Sequence, residues 1–206
     1  MAVITISRQF GAGGRTLGKM IAEKLNYRFL DDQIIQEIAR HAKVSKSTVI
    51  SMERTAGGAM YRLISSLISR NYMERLTGEN RGYMDEDVYV QALYEVLRKL
   101  AEEDNIVLIG RGGQYVLENQ EGAYHILLVA AMEDRIRFMQ SHYDLSESRA
   151  KAAVMDGEKR RTNLYRKFNK LDYNDPLHYH LVLNMSRMSL EKGVELVRTL
   201  VDGAKE

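Results

Sequence analysis

The chain of 206 residues contains no cysteine and only one proline, Pro176. Disulfides, thiolate-bound zinc and a cysteine nucleophile are therefore excluded, and the composition fits a reducing compartment. Charge of one sign is also scarce: 30 Lys and Arg stand against 28 Asp and Glu, a formal net charge of +2. Such a balance gives no global case for nucleic acid or an anionic membrane as partner, so any basic site must be local. No apolar run approaches the length that spans a bilayer, and Met1-Ala2-Val3 opens directly on a strand pattern. The expectation is a soluble, cytoplasmic protein without a membrane partner. Of the five histidines, His178 and His180 lie two apart while His41, His125 and His142 stand alone, and this spacing predicts no structural metal.

What is present is most informative between Thr5 and Leu25. An apolar strand pattern runs into Gly11-Ala12-Gly13-Gly14-Arg15-Thr16 and then into a helix patterned Leu17, Met20, Ile21, Leu25. Successive N–H groups of a glycine-rich turn at a helix N-terminus form an anion site without help from any particular side chain. The full phosphate-loop signature adds a lysine for the outer phosphates and a hydroxyl for magnesium. Here the hydroxyl is Thr16, but the lysine is absent. Strict spacing puts its position at Arg15 and the first glycine at Gln9, whereas the looser Gly-Lys-Gly-Thr spacing puts them at Gly14 and Arg8. Arg15 could supply the missing charge, with Lys19 one turn further on, although an arginine fork is not equivalent to a point-charge lysine.

Short apolar runs at Val3 to Ser7, Tyr27 to Leu30, Ile106 to Gly110, His125 to Ala130 and Leu181 to Asn184 predict five buried strands spaced for crossover helices. Amphipathic helices are expected around Val88 to Leu100 and Val194 to Val201. The alternation implies an α/β fold with a mostly parallel five-stranded sheet covered on both faces, as one domain spanning 1–206. Ligands in such sheets bind at the carboxyl ends of strands, which is where the glycine loop, Asp31-Asp32, Gly110 to Gly113 and Asn184 fall. Two excursions interrupt the pattern. Residues 43–87, with Met60, Leu63, Ile64, Leu67 and Ile68 at helical spacing, read as a helical insertion, which packs on the domain, covers an acceptor or mediates a homodimer. Residues 144–176 carry Lys159, Arg160, Arg161, Arg166, Lys167 and Lys170, either a solvated helix face or a mobile basic lid.

These segments together resemble the cytidylate kinase-like branch of the P-loop nucleoside monophosphate kinases. The resemblance is carried by Phe10 to Gly13 with Thr16 to Leu25, by Phe29-Leu30-Asp31-Asp32, by Ile109-Gly110-Arg111-Gly112, by Leu127 to Arg137, by Lys159-Arg160-Arg161 and by Leu183-Asn184-Met185-Ser186. It implies a P-loop NTPase three-layer fold, ATP and Mg2+ as cofactors, and transfer of the γ-phosphate of ATP to a nucleoside monophosphate, CMP or dCMP first. In this reading Gly11, Ala12, Gly13, Gly14, Arg15 and Thr16 bind the donor phosphates, Thr16 holds the metal, and Arg15, Arg160 and Arg161 stabilise the transferring group. Asp31, Asp32 and Arg111 serve the acceptor. The chain departs from the family pattern in three places: the missing loop lysine, Ile109 where an aspartate precedes the Gly-Arg pair, and Glu37 where an acceptor arginine stands, leaving Arg40, Arg54 or Arg111 for that work. A nucleotide-binding regulatory protein on a kinase scaffold, weakened by loss of the lysine, is the alternative. Nucleic-acid binding through the basic run is the weakest reading.

Overall fold

In a computed structural model, the structure describes residues 2–41, 44–54, 86–103 and 105–203. Five strands form one sheet: β1 Val3–Arg8, β2 Arg28–Leu30, β3 Ile106–Ile109, β4 Ala123–Val129 and β5 Leu181–Asn184. Their order is β2-β3-β1-β4-β5, and every pairing is parallel. The sheet is thus more regular than the expected mostly parallel one. It is an α/β P-loop NTPase fold with β1 at the centre, where Thr5 faces Leu108 of β3 on one side and His125 of β4 on the other.

Eight helices are described: α1 Gly14–Leu25, α2 Asp32–His41, α3 Lys46–Arg54, α4 Glu86–Ala101, α5 Gly113–Val116, α6 Met132–Tyr143, α7 Glu147–Lys167 and α8 Leu190–Gly203. The alternation of β1 divides them into layers, because successive side chains of a strand leave by opposite faces. Ile4 and Ile6 pack with Leu17 and Ile21 of α1 and Val194, Val197 and Val201 of α8. Val3 joins Leu30, Ile34 and Ile38, Tyr89, Leu93 and Leu97 of α4, and Val116 on the other face.

The expected excursion at 144–176 resolves into a long helix, α7, and a 3₁₀ turn at Pro176–His178. Ser146 caps α7 by accepting the Arg149 N–H, and Asp175 caps the 3₁₀ turn by accepting from Leu177 N–H, each cap contributing about 1 kcal/mol. Helices α6 and α7 pair as a hairpin with a small core of Met139, Ala150 and Val154. The insertion expected at 43–87 is described only through α3 and the start of α4; the Met60 to Ile68 stripe lies outside the described residues.

Candidate active site

Helix α1 begins at Gly14 behind Gly13, which holds the left-handed backbone (φ 80°) that turns the chain from the loop into the helix. The first-turn N–H groups of Gly14, Arg15 and Thr16 precede any intrahelical partner and form the positive end of the helix dipole. Gly11, Gly13, Gly14, Arg15 and Thr16 line a cavity of about 290 Å³ together with Arg8, Phe10 and Asp31. Thr16 and Asp31 both line this cavity; the Asp31 carboxylate already faces Arg15 and Arg111, which leaves the Thr16 hydroxyl as the group that could hold a magnesium ion completed by phosphate and water. Among the described residues no group of three or more His, Asp or Glu could hold a metal ion without such help.

A second cavity of about 330 Å³ adjoins the first, and Arg8 and Phe10 line both. Arg111, Arg160, Arg161 and Tyr165 contribute to its wall. Arg111 sits in a turn of three consecutive left-handed residues, Gly110 (φ 68°), Arg111 (φ 52°) and Gly112 (φ 72°). A left-handed arginine is strained, a feature that concentrates at ligand sites. The turn directs its guanidinium, 10% exposed, to Asp31: the terminal nitrogen donates to the Asp31 carbonyl at 3.0 Å and stands 3.3 Å from its carboxylate. Arg15, half exposed, approaches the same carboxylate at 3.3 Å. Asp31 thus serves as a shared counter-ion. Asp32 opens α2, and its side chain lies outside the described residues.

The α6–α7 hairpin lies directly on the glycine loop. The Phe10 N–H donates to the Glu158 carboxylate, which Arg135 approaches at 3.3 Å. A Cβ on Gly157 would overlap the Phe10 ring, so only glycine lets that ring lie against α7. Arg160 is exposed and sits 5.7 Å from the Phe10 ring centre. Arg161 is about nine-tenths buried, 4.7 Å from the centre of the Tyr173 ring and 3.7 Å from Glu158, with both terminal nitrogens lacking a hydrogen-bond partner. A buried guanidinium with unpaired donors is costly unless an anion satisfies it. Phosphate fits that donor set.

Beneath this wall a polar network ties α7 to the central strand. Ser7 pairs with the Tyr165 hydroxyl at 2.8 Å, and Gln114 donates to both Tyr165 and Tyr179 at 3.1 Å. Burial pushes the Tyr179 and Tyr115 hydroxyls far up, with Asp172 reinforcing the shift at Tyr115. Tyr165 is fully buried and anchors α7. Phe168 meets Tyr94 and Gly112.

The structure therefore brings Gly11 to Thr16, Asp31, Arg111, Arg160 and Arg161 to one edge of the sheet. Lys19 is exposed on α1, and Arg40 is exposed and paired with Glu37. The Arg54 side chain lies outside the described residues. The sequence reading missed Arg8, Arg135 and Glu158. Arg8 ends β1 beside the loop, a position legible only in the looser spacing.

Comparison with known proteins bears on the family and the fold. A relative, the cytidylate kinase of Methanocorpusculum labreanum, is 24% identical over 199 residues, covering 96% of this chain and 95% of its own. Among solved structures, an uncharacterized protein from Eubacterium ventriosum superposes with a TM-score of 0.69 at 14% identity over 98% of both chains. The shikimate kinase of Acinetobacter baumannii, solved in complex with shikimate, gives 0.50 at 17% identity, covering 100% of this chain and 95% of its own. These structural likenesses bear on the fold. The family model for "Cytidylate kinase-like family" matches residues 3–187, from the first strand through the hairpin to the final strand end, and the chain belongs to that family.

Proposed function

We propose that the protein is an ATP-dependent phosphotransferase that moves the γ-phosphate of ATP to a nucleoside monophosphate, CMP or dCMP first, or to a similar small phosphate acceptor. One observation carries the reading: a glycine-loop cavity at a helix N-terminus adjoins an arginine-lined cavity, and the two share Arg8 and Phe10 in their walls. Two anion sites at that spacing suit two phosphate chains brought end to end.

In the proposed reaction an oxygen of the acceptor phosphate forms a bond to the γ-phosphorus while the bond from that phosphorus to the β–γ bridging oxygen breaks. The electron pair leaves with ADP, and the acceptor becomes a diphosphate. No proton needs to move, so catalysis is alignment and charge stabilisation. The N–H groups of Gly11 and of Gly13 to Thr16 hold the donor phosphates; Ala12, expected among them, instead donates its N–H to the Gln9 carbonyl. Arg15 covers the phosphates while braced on Asp31. Arg111 takes the acceptor phosphate. Arg160 and Arg161 arrive on the α6–α7 hairpin, which acts as the lid and excludes water when closed. Thr16 would hold the magnesium ion that accompanies ATP, which would supply further neutralisation of the phosphate charge. Residues 43–87 form the acceptor-side cover, and the protein works in the cytoplasm.

The test is magnesium-dependent ADP release from ATP across CMP, dCMP, UMP, AMP, GMP, nucleosides and no acceptor. Release that depends on a pyrimidine monophosphate is expected. Silence with every acceptor, in protein that still binds ATP, overturns the kinase reading in favour of a regulatory nucleotide-binding protein.

A further inference from the structure

Arg8 stands where the looser loop spacing would have its first glycine, yet its surroundings are built around its side chain. Its stem occupies the space a side chain at position 14 would need: a Cβ placed on Gly14 would lie 2.7 Å from the Arg8 Cγ and 3.0 Å from its Cβ. Its guanidinium reaches the end of β3, where a Cβ on Gly110 would fall onto it. Two glycines far apart in sequence thus leave room for one side chain that runs from the phosphate loop to the Arg111 turn. Arg8 also lines both cavities.

Its electrostatic setting is that of an anion receptor. Burial lowers its pKa from the usual arginine value; Asp31 opposes the shift, while Arg111 and Arg161 add to it. Arginine remains charged regardless, so the repulsion must be balanced by an anion. Among the described residues Asp31 is the carboxylate that acts on it, and Arg15 and Arg111 already share that group. The nearby Arg161, with its unpaired buried nitrogens, supplies a second, independent indication of an anionic ligand at this point.

We infer that Arg8 is a catalytic residue that contacts the transferring phosphoryl group from the wall between the two cavities, supplying the charge that a loop lysine at position 14 would carry. The inference rests on the kinase reading and deepens it. Arg8 stands at the end of the central strand, whereas Arg160 and Arg161 are carried on α7. The acceptor this favours carries a phosphate rather than a bare hydroxyl, because Arg8, Arg111 and Arg161 together present more positive charge than the γ-phosphate alone requires.

The test compares Arg8→Ala, Arg8→Lys, Gly14→Lys and the double variant Arg8→Ala/Gly14→Lys by steady-state kinetics, melting temperature, and titration with ATP and with a bisubstrate probe joining adenosine and cytidine through five phosphates. Arg8→Ala is expected to lose about 10³-fold in kcat and to weaken the bisubstrate probe far more than ATP. Arg8→Lys keeps the charge and the fold and recovers part of the rate. Gly14→Lys alone collides with Arg8 and loses activity, while the double variant, in which the stem is gone, exceeds Arg8→Ala by about tenfold or more, as expected where the two positions share one space. Loss of kcat in Arg8→Ala of less than threefold, or equal weakening of ATP and probe, overturns the assignment. So does a fall in melting temperature matched by loss of rate with no recovery in Arg8→Lys or the double variant, since that is a structural role. The two binding titrations read Arg8 even in a parent without turnover: selective weakening of the probe then keeps the bridging position while the kinase reading alone falls.

Discussion

The sheet core and the α6–α7 hairpin are built on different physical terms. The sheet is sealed on both faces by large aliphatic side chains, including Ile4, Ile6, Leu17, Ile21, Leu93 and Leu97, all fully buried. The hairpin has a small core of its own, Met139, Ala150 and Val154, and its large buried side chain, Tyr165, is held by hydrogen bonds to Ser7 and Gln114. It meets the glycine loop through the Phe10 ring laid against Gly157 and through polar contacts, the Phe10 N–H on Glu158 and Arg135 on the same carboxylate. Apolar burial at about 25 cal/mol per Å² makes the scaffold cooperative, while charged contacts exchange readily for water. The kinase proposal makes use of that division: the scaffold holds the glycine loop, and α7 carries Arg160 and Arg161 beside it.

The sharpest way to break this contrast is to remove charge from the hairpin without touching the scaffold. Arg161→Ala deletes a buried guanidinium from the wall of the arginine-lined cavity, one whose terminal nitrogens lack hydrogen-bond partners. The expected result is a loss of about 10³-fold in kcat with little change in melting temperature, because the charge removed is buried and only loosely paired, 3.7 Å from Glu158 with no hydrogen bond at its terminal nitrogens. Kinetics and calorimetry on the same sample decide it, and a large destabilisation would instead make Arg161 part of the core. Removing apolar volume has the opposite profile. Leu17→Ala, at a fully buried position shared by α1 and α8, is expected to cost about 2–5 kcal/mol of global stability in denaturant titration. Val154→Ala in the hairpin should cost less globally and appear instead as faster amide exchange confined to α6 and α7. Uniform exchange over the whole chain would show the two regions to be one cooperative unit.

The scaffold was legible in the sequence and the site only partly so, for a physical reason. Five short apolar runs identify parallel strands locally, and the structure forms all five, with β1 reaching one residue further to Arg8 and β4 beginning two residues earlier at Ala123; the edge strands β2 and β5, expected to be buried, bury only Leu30 and Leu183 because each has a neighbour on one side alone. Gly11 to Thr16 and Gly110 to Gly112 are local as well, since glycine reports a backbone need at its own position. Pair relationships are not local. Asp31 reads as an acceptor group until Arg15 and Arg111 are seen to converge on it. Glu158 stands at the edge of a basic run and gains meaning only from Phe10, 148 residues away. Strand order and the meeting of Arg8 with Gly14 and Gly110 likewise depend on packing that no spacing rule encodes.

The scaffold also contains a polar seam that tests its rigidity. His125 on β4 pairs with Thr5 at 2.8 Å, and its backbone N–H donates to His180 at 3.0 Å. Burial, reinforced by His180, pushes the His125 imidazole down to about 4. The unfolded chain then binds a proton below about pH 6.5 that the folded chain refuses, so stability is complete above that pH and falls as pH drops toward 4. The expected loss is about 3 kcal/mol at most, read as a decline in melting temperature between pH 7 and 4.5. His125→Gln should lower the neutral-pH stability while flattening that slope; an unchanged slope would assign the acid sensitivity to other groups.

The smallest expected effect falls on the seam between the two regions. Gly157 is where α7 accepts the Phe10 ring, and a Cβ there would overlap it. Gly157→Ala improves intrinsic helix propensity by about 1 kcal/mol, so the isolated hairpin gains stability. Seating that hairpin on the loop becomes harder, because the ring must move and the Phe10 N–H must follow it away from Glu158. The two consequences have opposite signs and therefore separate. Melting temperature should hold or rise while kcat/KM falls about tenfold, a difference of about 1.4 kcal/mol in the transition state. Phe10→Ala added to Gly157→Ala tests the cause: recovery of part of the lost rate assigns the defect to the ring collision, whereas additive losses show that the ring itself holds the loop in its working shape.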